Sequence, residues 1–163
     1  MNAVTDTVAA PTTAIDNRDS DAASPYTLRR TGRRAVRFEG CHLLEAMGPT
    51  EGRQVWHDLN LYRTKAGSIV VELIVRRSVP DRNDTARVET FDDLQAAAAW
   101  LEAYCPADDA AIPAGLSAVD TPLPWAVLQA VQLRQRVERI EMDYRALLSD
   151  VVAAVDITDP AGA

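Results

Sequence analysis

The run LPWAVLQAVQLRQRVERIEMDYRALLSDVVAAV, Leu123 to Val155, decides how the rest of the chain is read. From Trp125 to Val155 it has no glycine and no proline. Written in heptads, position a falls on Leu123, Ala130, Val137, Tyr144 and Val151. Position d falls on Ala126, Leu133, Ile140, Leu147 and Ala154. Every one of these seam positions is apolar, which predicts a long helix with a narrow apolar stripe. Asp120 or Thr121 can cap it, and Pro122 and Pro124 fit a first turn, where a missing N–H costs little.

At 1.5 Å per residue such a helix is roughly 50 Å long, well beyond the radius of a small domain, about 13 Å. The large seam side chains contribute roughly 1.5–3 kcal/mol each if fully buried. Left alone, a helix of this kind is marginal. The seam therefore needs a partner: the chain's own earlier elements, a second copy, or another protein. In a parallel coiled coil Arg136 (g) would meet Glu141 (e) of a second chain. The residues expected at a partner or oligomer interface are Leu133, Arg136, Val137, Ile140, Glu141, Tyr144, Leu147 and Val151. Val127, Leu128, Leu148, Val152 and Val155 widen the apolar face at both ends, so only Gln132 to Arg145 keeps a strict stripe. The first turns are expected to dock on the body near Trp125, and the last turns to need a second apolar surface.

Upstream, the spacing changes from helical to alternating. Ser68 to Arg77 is the clearest strand, with Ile69, Val71, Leu73 and Val75 on one wholly apolar face. Gln54 to Thr64 precedes it, joined by a compact Lys65-Ala66-Gly67 turn that wants a left-handed glycine. Val36–Glu39 and Cys41–Met47 read as two shorter strands, with Gly40 as a break or bulge between them. Thr85–Thr90 reads as the last strand. Asp92–Tyr104 is a helix with Leu94, Ala97, Ala98, Leu101 and Tyr104 on one face. Strands followed by helices predict an α+β fold: an antiparallel β-meander of about five strands, covered by one helix, then the long C-terminal amphipathic helix. The expected segments are a disordered tail at 1–25, an α+β core at 26–105, a proline-rich linker at 106–124, the helix at 125–155 and a tail at 156–163.

The run Phe38-Glu39-Gly40 with Leu59 to Gly67 resembles the strand–Tyr-Arg-Thr–turn–Gly–strand hairpin of small bacterial and mobile-element proteins. That resemblance implies a hairpin and carries no activity.

The 163-residue chain has a net charge of −7. Lys and Arg number 1 against 4 Asp and Glu in residues 1–25, 12 against 11 in 26–105, and 4 against 9 in 106–163. This balance argues against a chain that binds nucleic acid or anionic membranes over its whole surface. One dense basic patch stands out, with Arg29, Arg30, Arg33, Arg34 and Arg37 around Gly32. It offers possible phosphate or nucleic-acid contacts beside Tyr26 and Phe38.

Two cysteines, Cys41 and Cys105, form no C-x-x-C motif, and the expected setting is a reduced cytoplasm. No stretch has the length of a membrane span. His42 and His57 are expected half-exposed, with a diagonal placement on one hairpin face as their only route to a metal. His57 and Asp58 are adjacent, so on a strand they diverge. Trp56, Trp100 and Trp125 are expected in core or interface. No catalytic, cofactor or metal residues are expected. The functional expectation is a non-catalytic accessory or interaction protein that self-associates or binds a protein partner through the long helix. The alternative is a nucleic-acid-binding regulator using Arg29–Arg37.

Overall fold

The computed structural model describes residues 23–78, 83–118 and 120–158. The expected N-terminal tail therefore lies outside the described residues except at its last positions, as do most of the loop after Ser78 and the chain after Thr158. Five strands follow one another: β1 (Ser24–Arg30), β2 (Arg33–Met47), β3 (Val55–Thr64), β4 (Ile69–Arg77) and β5 (Thr85–Phe91). They form one antiparallel sheet in the order β1-β2-β3-β4-β5. Helix α1 (Leu94–Glu102) follows, then a 3-10 turn at Pro106–Asp109, the short α2 (Ala114–Ser117), and α3 (Leu123–Thr158). The class is the expected α+β.

The strands differ from expectation at the start. The arginine-rich run is itself a hairpin: β1 and β2 pair from Ser24↔Gly40 to Arg30↔Arg33, with Gly32 at φ 71° in the turn. Its period of two is hidden in the sequence because pairs of arginines flank the Thr31-Gly32 turn on both strands. Gly40 is not a break either. β2 runs through it as one 15-residue strand, pairing first with β1 and then with β3. The irregularity comes later, between His42 and Leu44. Gly40 is where the backbones approach too closely for a side chain, since a Cβ there would lie 2.2 Å from the Arg63 carbonyl oxygen.

The two faces of the sheet have different fates. On one, Leu59, Leu61, Ile69, Val71 and Leu73 pack against Ala97 and Leu101 of α1 and against Tyr144, Leu147 and Val151 of α3. On the other, the sheet curls so that the β1–β2 hairpin covers Tyr62, Val70 and Val88 with Leu28, Tyr26, Val36 and Phe38. The curl brings the hairpin tip to β5: Thr31 N–H donates to the Ala86 carbonyl (2.9 Å), and Ala86 N–H to Thr31 Oγ1 (2.8 Å). Both faces of β4 are thereby covered over part of their length, which explains its near-continuous apolar composition. Helix α1 starts at an N-cap, where the Asp93 carboxylate accepts from Ala96 N–H.

Replacing Gly40 with alanine places a methyl group against the Arg63 carbonyl. The expected cost is about 1–3 kcal/mol, the usual penalty for forcing atoms into a filled space. Urea unfolding of the two proteins checks this; equal midpoints refute the close-approach reading.

Candidate functional site

Helix α3 is 36 residues long, about 54 Å at helical rise, and its two halves lie in different surroundings. The C-terminal half is fastened to the sheet. Ile140 packs with Val55 and Val75, and Tyr144, Leu147 and Val151 enter the main core. The Tyr144 hydroxyl donates to the Leu101 carbonyl at 2.9 Å. Arg53, in the turn before β3, grips Asp143 with two bonds of 2.5 and 3.1 Å. The N-terminal half runs past the sheet and meets the body on one side only, where Gly115 of α2 abuts Gln129. Leu123 is 77% exposed, Val127 55%, Trp125 54%, Val131 49% and Leu128 45%.

This corrects the expected interface. Ile140, Tyr144, Leu147 and Val151 are buried against the chain's own sheet and leave nothing for a partner. Leu133, Arg136, Val137 and Glu141 are half-exposed. Glu141 lies 3.6 Å from Arg145 in its own helix. The two ends fare differently. The last turns find the second apolar surface expected of them in β3, β4 and α1, while the first turns meet the body at α2, through Gln129, and leave Trp125 exposed. Sequence reasoning followed the a/d seam and undervalued the apolar residues off it. Trp125, Val127, Leu128 and Val131 sit at c, e, f and b, where a helix packed only by its seam has no reason to be apolar.

A polar centre lies under the docked half. His57 on β3 is 3% exposed and Asp109, at the end of the 3-10 turn, 6%. Their Nε2 and Oδ2 atoms are 2.9 Å apart. The Tyr104 hydroxyl donates to the same oxygen. Arg77 donates to the Asp109 carbonyl at 3.2 Å and brings a second nitrogen within 3.7 Å of Oδ1. Burial pushes the Asp109 carboxyl up. The bonds from His57 and Tyr104, with the Arg77 charge, outweigh it and hold the group below the usual carboxylate range. The His57 ring meets Tyr144 edge-on at 5.1 Å, and Arg87 lies over Tyr104 at 4.8 Å. Burial, then the bond to Asp109, pushes the Tyr104 hydroxyl far up. The segment expected to be a loose linker is thus tied to sheet and helix by one carboxylate.

His57 and Asp58 do diverge, and each finds its own ion: Asp58 accepts from Arg76 Nε at 2.7 Å on the opposite face. His42 also lies on that opposite face, so the diagonal pairing with His57 does not form. Its Nε2 is 3.3 Å from Asn60 Oδ1, and the Asn60 amide donates to Glu72 at 3.0 Å. Burial raises the Glu72 carboxyl despite that bond, and burial with the Glu72 charge lifts Tyr62 to about 12. The half-exposed reading holds for His42 and fails for His57. Cys41 is half-buried and Cys105 exposed. The tryptophans are dispersed: Trp56 stands opposite Arg76, Trp100 meets the Phe91 ring at 5.7 Å, and Trp125 faces solvent. Among the described residues no group of three or more His, Cys, Asp or Glu is placed to hold a metal ion.

The arginine patch is divided by the hairpin. Arg30 and Arg33 turn to Glu89 on β5, at 2.9 and 3.4 Å. With Arg87 and Trp100 they line a cleft of about 290 Å³ at the seam. Arg29, Arg34 and Arg37 are exposed and make no ion pair with a described residue.

No family model, curated protein or solved structure matches the chain. No described helix is long and apolar enough to cross a membrane.

Because Asp109 sits below its ordinary range when folded, the unfolded chain takes up its proton first as pH falls. Its stabilisation is complete above about pH 5 and is lost as pH drops through the folded value. Asp109→Ala is expected to cost about 2–4 kcal/mol near pH 7, since it leaves the buried His57 ring and the Tyr104 hydroxyl without their partner. The gap to the wild type should narrow below about pH 4. Denaturant titrations across pH measure it; a pH-independent gap would show that the carboxylate is not the origin.

Proposed function

We propose that the protein is a non-catalytic interaction protein whose docking surface is the projecting N-terminal half of α3. One observation carries this reading. Of the nine large hydrophobic side chains exposed among the described residues, five fall in the nine-residue span Leu123–Val131. Single apolar residues scattered on a surface need no explanation, but this density of them on one short stretch of helix is what supports a docking role. The anchoring supports it: the C-terminal half is locked to the core, so the free half is presented on a rigid stem rather than a loop. The buried His57–Asp109 pair is satisfied by groups that hold the fold together, which favours a structural role for the most catalytic-looking residues.

A second reading rests on a separate observation, the exposed outer arginines Arg29, Arg34 and Arg37, which make no ion pair with a described residue. On this reading the β1–β2 hairpin contacts phosphates, while Arg30 and Arg33 brace it against Glu89.

A photo-crosslinking amino acid at position 127 is expected to give a covalent protein adduct in the producing cells, and one at the buried position 147 none. Absence of any adduct from 127 sinks the docking reading. Val127→Glu with Val131→Glu should abolish the association while changing stability by no more than about 0.5 kcal/mol per site, as exposed substitutions do. Leu147→Ala should cost about 2–5 kcal/mol. For the second reading, three phosphate contacts predict a slope of log K against log salt of roughly −2 to −3, abolished by Arg29→Ala, Arg34→Ala and Arg37→Ala together. No retardation of duplex or single-stranded DNA or RNA at low salt rules it out.

A further inference from the structure

We propose that the cleft between α3 and the β2–β3 turn is a binding site for a small phosphate monoester with a hydroxylated, non-aromatic body. The site is separate from the projecting start of α3. The cleft has a volume of about 270 Å³. One wall is the end of the β2–β3 turn, with Arg53 and Gln54. The facing wall is α3, with Gln132, Gln135, Arg136 and Arg139. These four residues stand three and four positions apart, so they share one side of the helix. Val55 and Ile140, packed together with Ala110, supply an apolar base. A concave site with an apolar base and a few polar groups converging from separate elements is the usual form of a small-ligand site.

The charges in the cleft are unbalanced. Three guanidiniums line it and no carboxylate does, in a chain whose net charge is −7. The carboxylates of the adjoining α3 turns are engaged by other arginines: Asp143 by Arg53, Glu138 by Arg134 and Glu141 by Arg145. Glu51 in the turn and Asp108 in the 3-10 segment do not line the cleft. Arg136 and Arg139 therefore make no ion pair with a described residue, and Arg136 is half-buried. A half-buried cation without a counter-charge is completed by an incoming anion. Arg53 is already fixed by its two bonds to Asp143, so little of its side-chain freedom is lost when a ligand binds.

The lining also selects the class of anion. Asp143 balances Arg53, which leaves the two charges of Arg136 and Arg139. A phosphate monoester, at about −1.5 to −2 near pH 7, matches them better than a single carboxylate does. Glutamine amides both donate and accept hydrogen bonds, which suits the hydroxyls of a sugar. Nucleotide bases favour an aromatic ring to stack on, and among the described residues none lines this cleft. A sugar phosphate meets all three conditions.

The test is a calorimetric titration of the full chain at low salt with glucose 6-phosphate, glucose, acetate and a phosphoserine peptide. Glucose 6-phosphate is expected to bind in the millimolar range or tighter, and glucose and acetate at least about tenfold more weakly. Arg136→Gln with Arg139→Gln should weaken glucose 6-phosphate by roughly tenfold or more while leaving the urea midpoint unchanged. Gln135→Glu, at an exposed position, sets a carboxylate one turn from Arg139 and should weaken it similarly without disturbing the fold. Arg134→Gln, outside the cleft, should leave binding within about twofold, as should the triple alanine variant of Arg29, Arg34 and Arg37. Absence of glucose 6-phosphate binding, by heat and by amide chemical shifts alike, overturns the proposal. So does binding that survives both the double arginine variant and Gln135→Glu, or acetate binding as tightly. A phosphoserine peptide that binds more tightly than glucose 6-phosphate overturns it in favour of a protein ligand.

Discussion

The Asp109 carboxylate holds three separate pieces of chain in place. It is buried with His57 from β3, Tyr104 from the end of α1 and Arg77 from the end of β4 around it. A buried charge is costly unless its hydrogen bonds are met. Meeting them forces the 3-10 turn against the sheet, and the turn sets where the chain leaves for α2 and α3. The edge contact of His57 with Tyr144 then ties the same centre to the long helix. The start of α3, beyond the sheet, is aimed by a polar knot that the helix meets through Tyr144, whose ring lies against those of His57 and Tyr104.

Why the helix is fixed at one end and free at the other follows from the length of the strands. Ten residues of β3 span about 33 Å, whereas α3 is about 54 Å long. A helix that packs along the strands must overhang by several turns. Nature has placed the overhang at the N-terminal side, because Ile140, Tyr144, Leu147 and Val151 follow one another at the spacing of a single face, and Arg53 locks Asp143 beside them. The apolar residues of the overhang lie on another face, so they cannot be satisfied by extending the same contact.

Much of the architecture could be read from local pattern. The alternation of Ile69, Val71, Leu73 and Val75 identified the central strand and its buried face, and the Gly67 turn, at φ 92°, identified its hairpin. The unbroken run to Val155 identified the helix. Features that depend on distant residues were not legible. Nothing beside Asp109 in sequence announces that His57 will meet it, since the partner is 52 positions away. The β1–β2 hairpin hid behind its arginines, because a charge count looks the same whether the run is extended and solvated or folded into a ladder. The candidate surface was half visible. The heptad pattern revealed that a helix with an apolar seam exists, yet a seam looks alike whether it meets a sheet or another helix. What separates the two is which positions off the seam are apolar, and only the structure shows which of those are left uncovered.

The closing of the hairpin tip onto β5 has a bearing on how this protein associates. Sheets with open borders recruit further strands, and proteins that expose apolar surface as well are doubly prone to disordered aggregation. Here Thr31 occupies both backbone groups of Ala86, through its own N–H and its hydroxyl, so the hairpin tip blocks part of the β5 border. With that route narrowed, stickiness is confined to a helix, whose own backbone bonds are internally satisfied and cannot template a growing fibril. The molecule can therefore carry a greasy arm without that arm becoming a nucleus for amyloid.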